Sequence, residues 1–134
     1  MDNKQADIPV WRVFVAAAER ARNQGMLAEV ESLYMKAVDL AHRSEPPCSK
    51  DIGGILLRLA DFQIESGELE AAESTYLKAI ESFENNDGGS VLLAAALSKL
   101  AETYERKGEY VQSEQAWKRV KLLLSEQLKS MLDE

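Results

Sequence analysis

The sequence predicts an all-α protein, an α-solenoid of three antiparallel helix pairs, and three observations carry the prediction. Turn glycines recur at Gly25, Gly67 and Gly108, 42 and then 41 residues apart. The residues around them fall into matching types: Leu27, Leu69 and Tyr110 two positions later, the aromatics Tyr34, Tyr76 and Trp117 nine later, and Ala18, Ala60 and Ala101 seven earlier. Apolar residues recur at spacings of three and four throughout, with no alternating run of β-branched residues, so no sheet is expected. A fixed period of this length holding two helical patterns marks a repeat that must stack on its neighbours to bury its apolar faces. A generic bundle has no need of three turn glycines in register with three aromatics.

Taken in order, Met1–Asp7 is a polar tail without periodicity. Helix one is expected to start near Asp7-Ile8-Pro9, where an acid and a first-turn proline suit a helix start, and to run to Asn23 before turning at Gly25. Helix two, about Leu27 to Arg43, carries Val30, Leu33, Tyr34, Ala37, Val38 and Ala41 on one face, and Pro46-Pro47 follows as a stiff linker. Ser49 or Asp51 is expected to cap helix three, with Gly53-Gly54 weakening its first turn. Helix four runs from Leu69 to about Glu84 and gives way to the turn-rich Glu84–Gly89. Ser90 is expected to cap helix five, Val91 to Lys107. Helix six, Tyr110 to about Leu132, is the longest. These form one domain over residues 1–134, with repeats at about 10–44, 51–86 and 90–132.

The pattern resembles the tetratricopeptide repeat. The longer period, with Leu97-Ser98-Lys99-Leu100-Ala101-Glu102-Thr103-Tyr104, Gly108-Glu109-Tyr110 and Trp117-Lys118-Arg119, looks most like the repeat of kinesin light chains. Two features depart from the family: its small glycine on the first helix is alanine in all three copies, and its closing proline is replaced by His42, Glu84 and Ser125. The resemblance implies a right-handed superhelix whose first helices line a concave groove that binds a protein or peptide. In the family register that groove is lined by Arg12, Val15, Glu19 and Arg22, by Leu57, Arg58, Asp61, Ile64 and Glu65, and by Ser98, Lys99, Glu102 and Glu105. Arg58 and Lys99 stand three residues before Asp61 and Glu102, at a spacing that allows ion pairs along each helix. The basic and asparagine residues that clamp chaperone tails are absent except for Lys99, and the asparagine ladder of kinesin light chains is replaced by Leu57-Arg58 and Ser98-Lys99.

Composition narrows the function classes. The net charge of −7 lies wholly in residues 51–90, which hold nine acids and two bases, while 1–50 and 91–134 hold seven of each. This acidic belt is either a solvated surface or an attraction for a basic partner. The even outer segments offer no basic stripe, so nucleic acid is not an expected partner. No apolar run is long enough for a membrane span, and the early stretch Val13–Ala18 is too short for a signal peptide, so a cytoplasmic protein is expected. A single Cys48 fits a reducing compartment. One histidine and one cysteine cannot assemble a metal site, no phosphate-binding glycine loop follows a strand, and neither cofactor nor enzymatic activity is expected.

Two function classes follow: an adaptor, scaffold or chaperone-like module that binds a partner segment in its groove, or a structural subunit that assembles with its own copies. The second rests on helix six. A stripe of Trp117, Val120, Leu124, Leu128 and Met131 is expected to pack inward, leaving Leu122, Leu123 and Leu132 as a patch for a symmetric homodimer.

Overall fold

The computed structural model describes residues 8–85 and 90–133, which contain helices and turns and no strand. The helices are α1 (Val10–Asn23), α2 (Leu27–His42), α3 (Ser49–Glu65), α4 (Leu69–Glu84), α5 (Ser90–Arg106) and α6 (Tyr110–Leu132). They pack most extensively as α1 with α2, α3 with α4 and α5 with α6, and the pairs join through α2 against α3 and α4 against α5. This is an all-α helical-repeat solenoid. Residues 1–7, residues 86–89 of the stretch expected to be turn-rich, and Glu134 lie outside the described residues.

The period is written into the backbone. Gly25, Gly67 and Gly108 have φ of 76°, 79° and 80°, a left-handed conformation that a side chain would strain. Each turn closes on a bond from the following amide to the carbonyl five residues back: Met26 to Ala21 at 2.9 Å, Glu68 to Gln63 and Glu109 to Tyr104 at 2.8 Å. This satisfies carbonyls that the helix end leaves unbonded. At the start of α1, Pro9 has φ −55° and accepts from the Arg12 amide at 3.0 Å.

The expected capping of α3 is not what the chain does. Ser49 is the first residue of the helix, Cys48 occupies the flanking position, and no side chain caps the end. Asp51 instead places its charge in the first turn, where the helix dipole favours it. Ser90 likewise opens α5 rather than preceding it; its side chain lies outside the described residues.

The core follows the repeat register. Ala18, Ala60 and Ala101 are fully buried, as are Ala37 and Ala79, and these small residues let the helices approach closely. Tyr34 and Tyr76 fill the space between successive pairs. Gly53 belongs to this packing and not to a weakened first turn: a Cβ there would stand 2.5 Å from Cε1 of the buried Phe83 ring. Only glycine lets α3 meet α4 at that point.

Helix α6 is turned differently from the expected orientation. Its inward residues are Ser113, Ala116 and Val120, with Leu123 half-buried against the core. Their spacing of three and four is equally helical, and the small side chains at 113 and 116 set how close α6 sits to α5. Trp117, Leu124, Leu128 and Met131 therefore face outward, at 38, 50, 58 and 63% exposure. Trp117 and Leu124 hold the positions of Tyr34 and Ala41 in the first pair and Tyr76 and Phe83 in the second, which the next pair buries. Leu123 is thus not a leftover surface residue, whereas Leu122 and Leu132 are exposed.

Candidate functional site: the α1–α3–α5 face

The first helices of the three pairs line one face, and their residues form two hollows along it. One, of about 520 Å³, includes Arg12, Val15, Glu19 and Arg58 between α1 and α3. The other, of about 280 Å³, includes Arg22, Asp61, Ile64, Glu65, Lys99 and Glu102, with Arg106 and the edge of Tyr76. Ten of the thirteen residues expected on this face line the two hollows. Leu57 is half-buried against the core, and Ser98 turns back to its own helix, donating to the Ala94 carbonyl at 2.9 Å. Glu105 is drawn aside onto α6, accepting from Trp117 Nε1 at 2.7 Å and Ser113 Oγ at 3.1 Å.

The charges on this face pair across repeats, not along each helix as the spacing suggested. Arg58 of α3 reaches back to Glu19 of α1, Lys99 of α5 reaches back to Asp61 of α3 at 3.2 Å, and Arg22 of α1 pairs with Glu65 of α3. Arg58 and Lys99 thus serve the acid of the preceding repeat, and Arg22 that of the following one. An acid placed C-terminal to its base runs against the helix dipole and gains little within one helix, while the facing helix offers a carboxylate at equal reach. Among the described residues, Glu102, Arg106 and, at the other end of the face, Arg12 make no ion pair, so on α5 the ladder ends with one acid and one base open, one turn apart.

The same logic accounts for much of the acidic belt. Asp61, Glu65, Glu70, Glu73 and Glu84 all meet cations from the flanking repeats: Lys99, Arg22, Lys107 and Arg119. Lys107 is the centre of this arrangement. Its side chain is 11% exposed, its ammonium lies 2.5 Å from Glu73 and 3.2 Å from both Glu70 and Glu109, and the bond to Glu73 above all raises its pKa. Five of the nine acids of the middle repeat are thus counter-charges that staple its neighbours to it, partners that their positions in the sequence do not reveal.

Beneath the ladder lie two buried phenols with different fates. Tyr76 donates to Asp61 at 2.6 Å, and burial first, then that bond, pushes its pKa well up. Tyr34 is fully buried with a hydroxyl that meets no hydrogen-bond partner among the described residues, and burial raises its pKa against the opposing influence of Arg22. On the opposite side, α2, α3 and α4 enclose a hollow of about 440 Å³ floored by Val38, Ile52, Leu56 and Leu59. Nothing in the repeat spacing pointed to it.

Among the described residues no group of histidine, cysteine, aspartate or glutamate could hold a metal ion, and no helix is long and apolar enough to cross a membrane. Cys48 is exposed and unpaired. Repeated helix pairs with a polar face formed by their first helices define a helical-repeat interaction protein. The chain belongs to the tetratricopeptide repeat family, whose model, described as tetratricopeptide repeat, matches residues 51–120. Repeats of this family are non-catalytic and generally mediate protein–protein interactions. No curated protein matches the chain.

Proposed function

We propose that this protein is an adaptor or scaffold that holds a segment of a partner protein along the α1–α3–α5 face, in the cytoplasm. The observation that carries the reading is the unfinished charge ladder: with Glu19, Asp61 and Glu65 neutralised between repeats, Glu102 and Arg106 on α5 remain to bind a partner's charges, as does Arg12 at the other end of the face. A partner segment with a base and an acid about one helical turn apart fits them, and Ile64 supplies an apolar contact in the same hollow. The base of such a segment is drawn to the acidic side of the molecule, so its affinity falls with salt. The lone cysteine supports a reducing compartment.

The test places a photo-crosslinking residue at Ala16 or Ile64 on this face, and at Met35 on the opposite side, in cells of the native host. Crosslinks to the same protein from Ala16 and Ile64 but not Met35, lost when Glu102→Arg and Arg106→Glu are combined, are expected. Equal capture from Met35, or capture unaffected by the charge reversal, would overturn the reading.

A further inference from the structure

Along the outer side of α6 the residues Tyr110, Glu114, Trp117, Lys121 and Leu124 are all exposed and recur at spacings of four and three. The spacing is that of a coiled-coil seam, with Glu114 and Lys121 as its charged positions, and is continued by Leu128 and Met131. In the first two pairs the same side of the second helix is covered by the next first helix, α3 on α2 and α5 on α4. On α6 it is open.

The seam is nearly reversible about Trp117, symmetric for its apolar residues and one residue off for its charged pair. Seven residues before it stands Tyr110 and seven after it Leu124; three before stands Glu114 and four after Lys121. Reversing the helix therefore sets apolar against apolar and acid against base. A parallel copy would set Glu114 on Glu114 and Lys121 on Lys121. The opposite end of the molecule offers a poorer match: α1 exposes Val10 and Val13, and its one acid, Glu19, is held across repeats by Arg58, whereas Glu114, among the described residues, meets only the exposed Lys118 of its own helix, at 3.4 Å. A head-to-tail stack would then set Lys121 against an α1 that carries Arg20 and, among its described residues, no carboxylate but the engaged Glu19.

We propose that α6 is a self-recognition helix, on which a second copy of the chain lays its own α6 antiparallel about a two-fold axis at Trp117. Glu114 of each copy meets Lys121 of the other, the two Trp117 side chains meet at the axis, and Tyr110 packs on Leu124 at both ends. The shared stretch from Tyr110 to Leu124 is about 22 Å long at 1.5 Å per residue. The two-fold closes the contact, so the product is a dimer and not a filament. Leu122 and Leu132 lie off the seam and are not part of it.

Sedimentation equilibrium from micromolar to millimolar concentration, on the full chain, tests this. Wild type is expected to reach twice the 14.9 kDa chain mass. Glu114→Lys and Lys121→Glu each place like charges opposite one another and weaken dimerisation by about tenfold or more, the equivalent of ~1.4 kcal/mol. Mixing the two single variants restores every opposite pair, so the mixture dimerises, as does the double exchange E114K/K121E. Both positions are exposed, so far-UV circular dichroism stays that of wild type. A wild type at single-chain mass throughout, single variants that dimerise as wild type does, or a mixture that stays monomeric would overturn the proposal. So would Val13→Asp weakening association as much as Leu124→Asp, which indicates head-to-tail stacking. Crosslinking from the α1–α3–α5 face reports on the groove independently of these outcomes.

Discussion

Gly53 and Gly54 are neighbours in α3, yet alanine at the two positions should move stability in opposite directions. At Gly54 an added Cβ meets nothing within 4 Å, so Gly54→Ala removes a helix-interior glycine at no steric cost. The gain is about 0.8–1 kcal/mol. At Gly53 the same Cβ lies 2.5 Å from Cε1 of Phe83 and 2.8 Å from its Cδ1 and Cζ. Carbon atoms rest comfortably at roughly 3.5–4.0 Å, so the ring must move by about an ångström. Phe83 is 1% exposed and has nowhere open to go. Overpacking of this kind costs about 1–3 kcal/mol, and the helical gain offsets about 1 of that. The net loss for Gly53→Ala is about 0–2 kcal/mol, against a net gain for Gly54→Ala. Urea unfolding followed by circular dichroism reads both variants, with the midpoint shifting and the slope unchanged. Phe83→Leu combined with Gly53→Ala shortens the offending side chain, so the double variant loses less than the two single losses added together. A Gly53→Ala protein as stable as Gly54→Ala would refute the argument and show that α3 and α4 stand further apart.

Tyr76→Ala should cost about 3–5 kcal/mol, since it empties a buried aromatic site between two repeats; a melting midpoint within a degree or two of wild type would contradict it. Tyr76→Phe keeps the packing and loses the bond to Asp61, for a smaller loss of about 1–2 kcal/mol in the same assay. Burial raises the pKa of Tyr34, Tyr76 and Tyr104, and Glu73 above all raises that of Lys107, so each holds its proton more tightly folded than unfolded. Their contribution is complete below the ordinary values of 10.0 and 10.5 and is lost as pH rises above them, so melting temperature should fall in that alkaline range, and less steeply in the Tyr34→Phe and Tyr76→Phe variants. Lys107→Met leaves Glu70, Glu73 and Glu109 without their shared cation and should lower the melting midpoint, most at low salt.

Much of the fold was legible in the sequence because it rests on local conformation. A glycine that must adopt positive φ, an alanine where two helices touch and apolar residues three and four apart are constraints each segment imposes alone, so α2, α4 and α6 begin where the repeat register places them. The residues of the α1–α3–α5 face were legible for the same reason: a position on one helix fixes its side of the repeat. Their partners were not. Arg58 stands three residues from Asp61 in the chain and yet pairs with Glu19, because the gap between neighbouring helices sets which carboxylate a long side chain meets.

Rotation of α6 escaped the sequence on similar grounds. Two apolar stripes at helical spacing compete for the interior, and Ser113 and Ala116 prevail over Trp117 and Leu124 because small residues let α6 close on α5. Gly53 was read as a weak point because its purpose is visible only with Phe83 beside it. The sequence by itself determined the helices, their turns and the period that stacks them, since these depend on backbone preference and side-chain spacing within a few residues. The tertiary structure decided which charges are spent between repeats and which side of α6 stays open, since both depend on distances between segments remote in the chain.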